Sequence, residues 1–257
     1  ILSNVFVPTE EPYQHMYSAK GDTYMGVDQK GDLHVVIAQV MHDEPNGKDV
    51  LRIIHAEVIH RQLGQDSWAR LAQLMRHYNI RFCVHDALPN EHNAQEFAEA
   101  FKGRVALKYD SGERAKLFTY DEQSNKLILS RTMNFDGLLD DIKSGLWRFY
   151  GTRDTLDQTL SELISHCSNM KRDEEERKRR DGSVQVVGVW RKTGPDDFAH
   201  AWAYCRVAYL VRPANRVQIT LIGQTRGEHE EQVEYVDSKV WDGLKVPKKI
   251  KRRNKLG

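Results

Sequence analysis

Acidic residues lie where three ordered segments of this chain are predicted to begin or end. Two strand candidates and one helix candidate carry them: Asp28 after Tyr24–Val27, Asp86 after Ile80–His85, and Asp196 with Asp197 before Phe198–Leu210. Hard divalent cations such as Mg²⁺ need oxygen ligands from rigid elements that are distant in sequence. The pattern therefore predicts a divalent-metal site and metal-dependent phosphoryl chemistry.

Each acid taken alone has a simpler interpretation. An aspartate at a strand end is more often a turn residue, and one before a helix is more often an N-cap. The prediction therefore depends on a fold that brings the acids together. In sheets that mix strands and helices, ligand sites form at the carboxyl ends of strands.

The first half of the chain predicts such a fold. Three β-rich runs, Tyr24–Asp28, His34–Val40 and Arg52–Ile59, are joined by short polar turns and indicate an antiparallel meander. Apolar residues at helical spacing follow, with Asp66 or Ser67 as the N-cap. The strand that ends at Asp86 comes after this helix, so the crossover makes it parallel to an earlier strand.

The second half continues the alternation. The predicted elements are a helix at 91–101, a strand at 104–109, a hairpin at 117–131, a helix at 132–144 stopped by Gly145, a long helix at 155–180 with a charged second half, a strand or hairpin arm at 184–190, the helix from Asp197, and weaker strands at 217–222 and 232–236. Together these elements predict a mixed α/β sheet flanked by helices.

Composition excludes several classes of protein. No apolar run is long enough for a membrane span, there is no signal-peptide pattern, and no G-x-x-x-x-G-K-[ST] motif occurs, so any ATPase activity lies outside this chain. The three cysteines are widely spaced and indicate reduced thiols, neither a disulfide framework nor a zinc site. The sequence begins at Ile1 without an initiator methionine, which suggests a fragment or a processed product.

The predicted organisation has three parts. Residues 1–22 form a linker or N-terminal arm, residues 23–245 one large domain, and residues 246–257 a basic tail. The net charge of the whole chain is only +1, although this tail is strongly basic. A solvated extension is a simpler interpretation of the tail than contact with a phosphate backbone.

Four segments resemble a known family. The sequences YMGVDQKGDLHVVIAQV, IRFCVHDALPNEHNAQEF, ILSRTMNFDGLLDDIKSGLWRFY and GPDDFAHAWAYCRVAYL resemble the nuclease domain of the large terminase subunit of tailed bacteriophages. The resemblance covers about Tyr24 to Leu210, and the DDFAHAWAY helix start is among its most specific parts. It implies an RNase H-like fold and a metal-dependent endonuclease that cuts concatemeric viral double-stranded DNA during genome packaging.

The resemblance also implies roles for individual residues. Asp28, Asp86 and Asp196 or Asp197 would hold two Mg²⁺ or Mn²⁺ ions for phosphodiester hydrolysis that leaves 5′-phosphate and 3′-hydroxyl ends. Asp32 matches a further acidic position and His200 lies one turn into the helix; both are secondary candidates. The implied partners are DNA, an ATPase domain outside this chain, the small terminase subunit and the portal, in the host cytoplasm.

Three basic residues are candidates for guiding the DNA backbone: Lys30, Arg191 and Lys192. Phosphate contacts carry no base information, so cleavage is expected to be largely independent of sequence. His85 alternates away from Asp86 on its strand, which favours a place in the core.

Two alternatives remain open from the sequence. Another RNase H-like enzyme, a junction resolvase or a transposase core, would prefer branched DNA or perform strand transfer. A non-catalytic DNA-binding or docking module would use the acids only as caps and would bind no metal.

Overall fold

The computed structural model describes residues 6–7, 21–43, 47–61, 66–110, 116–150, 158–178 and 182–211. Their elements are β1 (Phe6–Val7), β2 (Thr23–Gln29), β3 (Leu33–Asp43), β4 (Lys48–Ile59), α1 (Ser67–His77), β5 (Phe82–Asp86), α2 (Glu91–Ala100), β6 (Val105–Asp110), β7 (Phe118–Asp121), β8 (Lys126–Leu129), α3 (Arg131–Lys143), β9 (Trp147–Tyr150), α4 (Gln158–Ser168), β10 (Met170–Lys178), β11 (Val184–Lys192) and α5 (Asp197–Val211). The strands predicted at 217–222 and 232–236 and the basic tail lie outside the described residues.

One mixed sheet organises the described part of the chain. Its strand order is β1-β9-β4-β3-β2-β5-β6-β8-β7. Strands β2, β3 and β4 form an antiparallel meander, and β5 lies beside β2 and parallel to it. Strands β6 and β8 continue the sheet in the same direction. This arrangement confirms the predicted mixed α/β, RNase H-like fold. As predicted, the strand that follows the first helix, β5, lies next to the first strand of the meander, β2.

Helices cover both faces of the sheet. On one face, apolar residues of α1 and α2 pack with Met25 and Val27 of β2. On the other face, α3, α4 and α5 pack with Tyr24 of the same strand. Successive side chains of a strand point to opposite faces, so β2 contributes alternate residues to the two apolar layers. Asp28 therefore lies on the face that α5 covers.

A glycine allows α5 to lie directly on the central strand. A Cβ atom at Gly26 would lie far inside van der Waals contact with the carbonyl oxygen of Ala201 and the amide nitrogen of Cys205. The Cys205 thiol also donates a hydrogen bond to the carbonyl oxygen of Tyr24, at 3.3 Å. Only glycine permits this approach of two backbones. The contact fixes the start of α5 near the end of β2.

The charged segment at 171–180 was predicted to continue a helix, and this prediction is wrong. The helix α4 ends at Ser168, and residues 170–178 form β10, which pairs antiparallel with β11 along nine registered positions from Met170–Lys192 to Lys178–Val184. Lysine, arginine and glutamate favour helices only weakly, and cross-strand pairing with a β-branched strand overrides that preference. The predicted hairpin arm is therefore present and includes β10.

Other local predictions are confirmed. The Asp66 carboxylate caps α1 by accepting the N–H of Ala69 at 3.0 Å, and Gly145, with φ of +75°, follows the end of α3. Strand β9 and its partner β1 were not predicted; Phe6 and Val7 pair with Phe149 and Tyr150. None of the helices in the described ranges is long and apolar enough to cross a membrane.

Candidate active site

A cleft of about 510 Å³ opens where β2 and β5 end and α5 begins. The carboxylates in its lining are those of Asp28, Asp86, Asp110, Asp196 and Asp197. The cationic residues in its lining are Lys30, Lys108, Arg131, Arg191 and Lys192. The fold thus brings the four predicted principal acids into one cleft, together with a nearly equal number of basic side chains.

Strand register explains why two of the acids are neighbours. Val27 of β2 pairs with His85 of β5, so Asp28 and Asp86 leave two adjacent parallel strands side by side. Parallel strands present their carboxyl ends at one edge of a sheet, where ligand sites are common. On the next strand, Lys108 of β6 is in register with Asp86.

Asp28 is the most isolated acid of the cleft. Its residue is 6% exposed, and its carboxylate forms no hydrogen bond or ion pair with the residues that the structure describes. Burial raises the pKa of Asp28 well above its ordinary value, and the charges of Asp86 and Asp197 raise it further. A carboxylate in this position gains most from a cation placed beside it.

Asp86 is held by neutral and cationic donors. Lys108 Nζ and the Tyr204 hydroxyl each lie 3.4 Å from its Oδ2, and the Leu88 N–H donates to its Oδ1 at 3.2 Å. Burial raises the pKa of Asp86, and the Lys108 charge opposes that rise. Asp86 therefore shares the desolvation of Asp28 but has partners that fix its orientation.

Asp196 has the opposite surroundings. Although the residue is 3% exposed, four basic side chains reach its carboxylate: Lys30 Nζ at 3.7 Å, Lys192 Nζ at 3.5 Å, Arg131 Nη2 at 3.6 Å and His200 Nε2 at 3.3 Å. Burial alone would raise the pKa of Asp196, but the His200 hydrogen bond and the charges of His200 and Lys192 lower it well below its ordinary value. Its carbonyl oxygen also accepts the N–H of His200, so Asp196 is the N-cap of α5.

Asp197 begins α5 and lines the cleft. Lys30 Nζ lies 3.3 Å from its Oδ1, and its charge is a larger cause of the raised pKa of Asp28 than that of Asp196. Both adjacent acids line the cleft with Asp28 and Asp86, and the charge of Asp197 acts more strongly on Asp28 than that of Asp196 does.

Two histidines, His34 and His166, lie near Asp197. One potential ligand atom from each of His34, His166 and Asp197 lies within 4.8 Å of the others. However, His166 Nδ1 accepts the N–H of Phe198 at 3.1 Å, so a neutral ring carries its proton on Nε2 and has no lone pair free for a metal. The His166 hydrogen bond therefore supports the start of α5, and His34, His166 and Asp197 are poorly suited to form a separate metal site.

The secondary candidates are dispersed. Asp32 lies outside the lining, where it accepts the Arg61 N–H at 2.9 Å and pairs with His60 at 2.8 Å; the backbone hydrogen bond lowers its pKa. His200 lines the cleft and lies between Asp196 and the Tyr204 hydroxyl. Arg191 reaches the lining, but its guanidinium pairs with Glu175 and Asp173 of β10.

Sequence reasoning missed six residues of the cleft lining: Gln29, Lys108, Asp110, Arg131, Trp190 and Tyr204. A lysine inside the apolar strand VALKYD is an exception to the usual composition of buried parallel strands, and it was a usable signal. Arg131 follows Ser130, whose hydroxyl caps α3, and nothing in its local sequence distinguishes it from a solvated surface residue.

His85, as predicted, lies in the core: it is fully buried, its ring stacks on Trp68, and burial lowers its pKa to about 4.

Comparisons with known proteins give structural relatives only. No protein-family model matches the sequence, and no curated protein matches it. Among solved structures, the large terminase nuclease from thermophilic phage G20c with bound magnesium is similar at 15% identity and a TM-score of 0.46, over 80% of this chain and 94% of that one. The nuclease domain of the large terminase subunit gp2 of bacterial virus Sf6 is similar at 12% identity and a TM-score of 0.46, over 79% and 94%. These structures belong to the family that the sequence motifs resemble.

Proposed function

We propose that this chain is a metal-dependent endonuclease that cleaves concatemeric viral double-stranded DNA during genome packaging. The observation that carries the proposal is the convergence of Asp28, Asp86 and Asp197 from three separate elements, with Asp28 lacking any partner among the described residues. A buried carboxylate that forms no hydrogen bond or ion pair is costly unless a cation occupies the site.

The donor set fits Mg²⁺ or Mn²⁺. Carboxylate oxygens are the ligands that these hard cations prefer, and the described residues of the cleft lining include no cysteine. Asp28, Asp86 and Asp197 would hold the metal, with Asp28 central because it adjoins both others. Two bound cations would activate water and neutralise the developing charge on the scissile phosphate.

The remaining residues of the cleft divide into two roles. Lys30, Arg131 and Lys192, whose side chains are 43–58% exposed, would bind the DNA backbone. Asp196 would hold these cations and His200 in place through its carboxylate and would cap α5. This assignment places Asp197, not Asp196, among the metal ligands.

The proposed setting follows the family resemblance. The nuclease would act in the host cytoplasm with an ATPase domain, the small terminase subunit and the portal. The proposed domain extends over residues 23–245, preceded by the N-terminal arm and followed by the basic tail.

Cleavage of plasmid DNA by an Asp28→Asn variant tests the proposal. Wild-type chain with Mn²⁺ should convert supercoiled plasmid to nicked and linear forms, and a chelator should stop the reaction. Asp28→Asn keeps the shape of the side chain but removes its charge, so it should abolish cleavage while the fold, measured by circular dichroism, is retained.

Asp121→Asn is the matched control, because Asp121 is the exposed last residue of β7, outside the cleft. It should cleave as the wild type does. Full cleavage by Asp28→Asn would overturn the nuclease assignment. Preferential cleavage of a branched substrate would instead favour a junction-resolving enzyme.

A further inference from the structure

Trp190 places an aromatic ring in the lining of a cleft whose other residues are mostly charged. The residue belongs to β11 of the hairpin arm and is only partly buried. Tryptophan carries a large apolar surface, which proteins usually remove from water in a core or use at a binding site. A partly exposed tryptophan in a charged cleft therefore indicates contact with a ligand that has an apolar face.

The Trp190 ring is held in a fixed position. Its Nε1–H donates a hydrogen bond to Asp136 Oδ1 at 2.8 Å, and its ring centre lies 5.7 Å from that of Phe135, with 40° between the planes. Arg172, its partner across the hairpin, binds the same aspartate through Nε at 2.8 Å. Because the ring is already ordered, a ligand that stacks on it loses little binding free energy to immobilising the side chain.

Other aromatic rings continue from Trp190 towards α5. Phe135, which is 4% exposed, contacts His200 edge to face at 5.0 Å, and the His200 ring lies 5.8 Å from Tyr204. His200 and Tyr204 also line the cleft. The ring of Trp190 is thus connected by aromatic contacts to the helix that carries Asp197.

Cationic side chains lie among these rings. Trp190 and Lys192 are two residues apart on β11, so they project to the same side of the strand, about 7 Å from each other. The Arg131 guanidinium lies 5.9 Å from the centre of the Phe135 ring. Lys192 and Arg131 both reach Asp196, at 3.5 and 3.6 Å. Proteins that bind single-stranded DNA combine a cationic groove with aromatic rings on which bases stack.

Paired DNA offers no base face to such a ring. In a duplex each base is covered by its neighbours, and only base edges and the backbone are accessible. The cleft volume of about 510 Å³ is typical of sites that enclose one small ligand, roughly 300–1,000 Å³, so it can take in a short piece of one strand. Stacking on Trp190 therefore requires at least one unpaired base.

We propose that Trp190 stacks against an unpaired nucleobase, and that the cleft accepts DNA that is opened locally at the point of cleavage. This inference rests on the proposed function and adds the state of the DNA to it. The phosphates next to the stacked base would pair with Lys192 and Arg131. Unpairing a base costs free energy, which stacking on the ring partly offsets, and a mismatched base costs least to unpair.

Binding measurements in an Asp28→Asn background test the stacking without cleavage. Fluorescence anisotropy gives the affinity for a labelled single-stranded oligonucleotide and for the duplex of the same length. Adding Trp190→Leu should lower the ratio of single-strand to duplex affinity about fivefold or more, since loss of one stacked base has an effect of this size. A 2-aminopurine base in the single strand should be quenched by the chain that has Trp190 and much less by the leucine variant.

Two further variants are the controls. Trp190→Phe loses the same hydrogen bond to Asp136 but keeps an aromatic ring, so the affinity ratio should stay within about twofold of the parent. Tyr120→Leu removes a partly buried aromatic residue of β7, outside the cleft lining, and should leave the ratio unchanged. Thermal melting establishes that each variant is folded.

Cleavage supplies a second readout in the chain with Asp28 intact. With Mn²⁺, the wild type should cut a linear duplex that contains a short mismatched stretch faster than a fully paired duplex, with cuts mapping to the mismatched stretch. Trp190→Leu should lose most of this preference, whereas Trp190→Phe should keep it.

The outcomes separate this inference from the proposed function. Full cleavage by Asp28→Asn refutes the nuclease assignment, whatever the Trp190 variants do. If cleavage depends on Asp28 but the wild type cuts paired and mismatched duplexes equally, only the stacking role is overturned. Unchanged single-strand preference in folded Trp190→Leu overturns it as well, and the tryptophan then serves only to join the hairpin arm to α3.

Discussion

Asp28 and Asp196 are aspartates of similar burial in the same cleft, 6% and 3% exposed, and their surroundings differ in every other respect. Asp28 has no partner among the described residues, and burial together with neighbouring acids raises its pKa. Asp196 is reached by four basic side chains, of which His200, Lys192 and Lys30 lower its pKa despite burial. The comparison teaches that burial does not define the role of an acid; the charges around it do. One acid is suited to receive a cation, and the other already organises several.

The largest expected effect comes from Asp196→Asn. The substitution leaves four basic groups converging on a neutral amide and removes a fully satisfied buried carboxylate. The free energy of unfolding should fall by about 1–3 kcal/mol, a discounted value because the lysines and the arginine are partly exposed. Urea denaturation in the presence of a chelator measures it. An unchanged midpoint would show that the cations do not depend on Asp196.

Asp28→Asn should have a smaller effect of opposite sign on stability. Without metal, the variant removes a desolvated charge and should be more stable than the wild type by about 1 kcal/mol at neutral pH, which corresponds to roughly 2–4 °C in melting temperature. Adding Mn²⁺ should stabilise the wild type and leave the variant unaffected.

The pH dependence of this difference follows from the raised pKa of Asp28. Below pH 3.8, the ordinary value, the side chain is protonated in both the folded and the unfolded chain, and wild type and variant should be equally stable. As the pH rises, the unfolded chain ionises first, so wild-type stability falls until the pH exceeds the raised folded-state pKa. If the difference in unfolding free energy between wild type and Asp28→Asn became smaller as the pH rises, the raised pKa of Asp28 would be contradicted.

The smallest effect is expected from Lys192→Ala. Three other basic groups remain on Asp196, and an exposed ion pair contributes little, so the free energy of unfolding should change by less than about 1 kcal/mol. If Lys192 contacts a phosphate, the slope of log affinity for DNA against log salt should decrease by about one. Fluorescence anisotropy at several salt concentrations measures this slope, and Lys102→Ala, an exposed position shortly after α2, is the control.

The strand-end acids could be predicted from the sequence because their signals are local. An apolar run followed by aspartate identified the ends of β2 and β5, and the pair before an apolar segment identified the start of α5. The proposed choice of Asp197 over Asp196 was not local, because it depends on Lys30 and Arg131 from distant parts of the chain as well as on Lys192, four residues before Asp196. The approach of Lys30 and Arg131 to Asp196 could not be predicted from the spacing of residues in the sequence.

The hairpin arm was mispredicted in part for a related reason. The segment at 170–178 is rich in residues that favour helices, and its strand conformation comes from pairing with β11. Arg172 and Trp190, opposite each other in that pair, both bind Asp136 of α3, so the base of the arm is fixed by the body of the domain. Non-local pairing of this kind overrides local preference.

The contact at Gly26 has a consequence for how the cleft can change over evolution. Because α5 meets β2 through main-chain atoms, the separation between the Asp28 and Asp197 backbones does not depend on the volume of any intervening side chain. Core residues elsewhere on the two elements can therefore vary in size without moving the two acids apart. The position itself tolerates no such variation, so sequence drift around the site is permitted while the site keeps its dimensions.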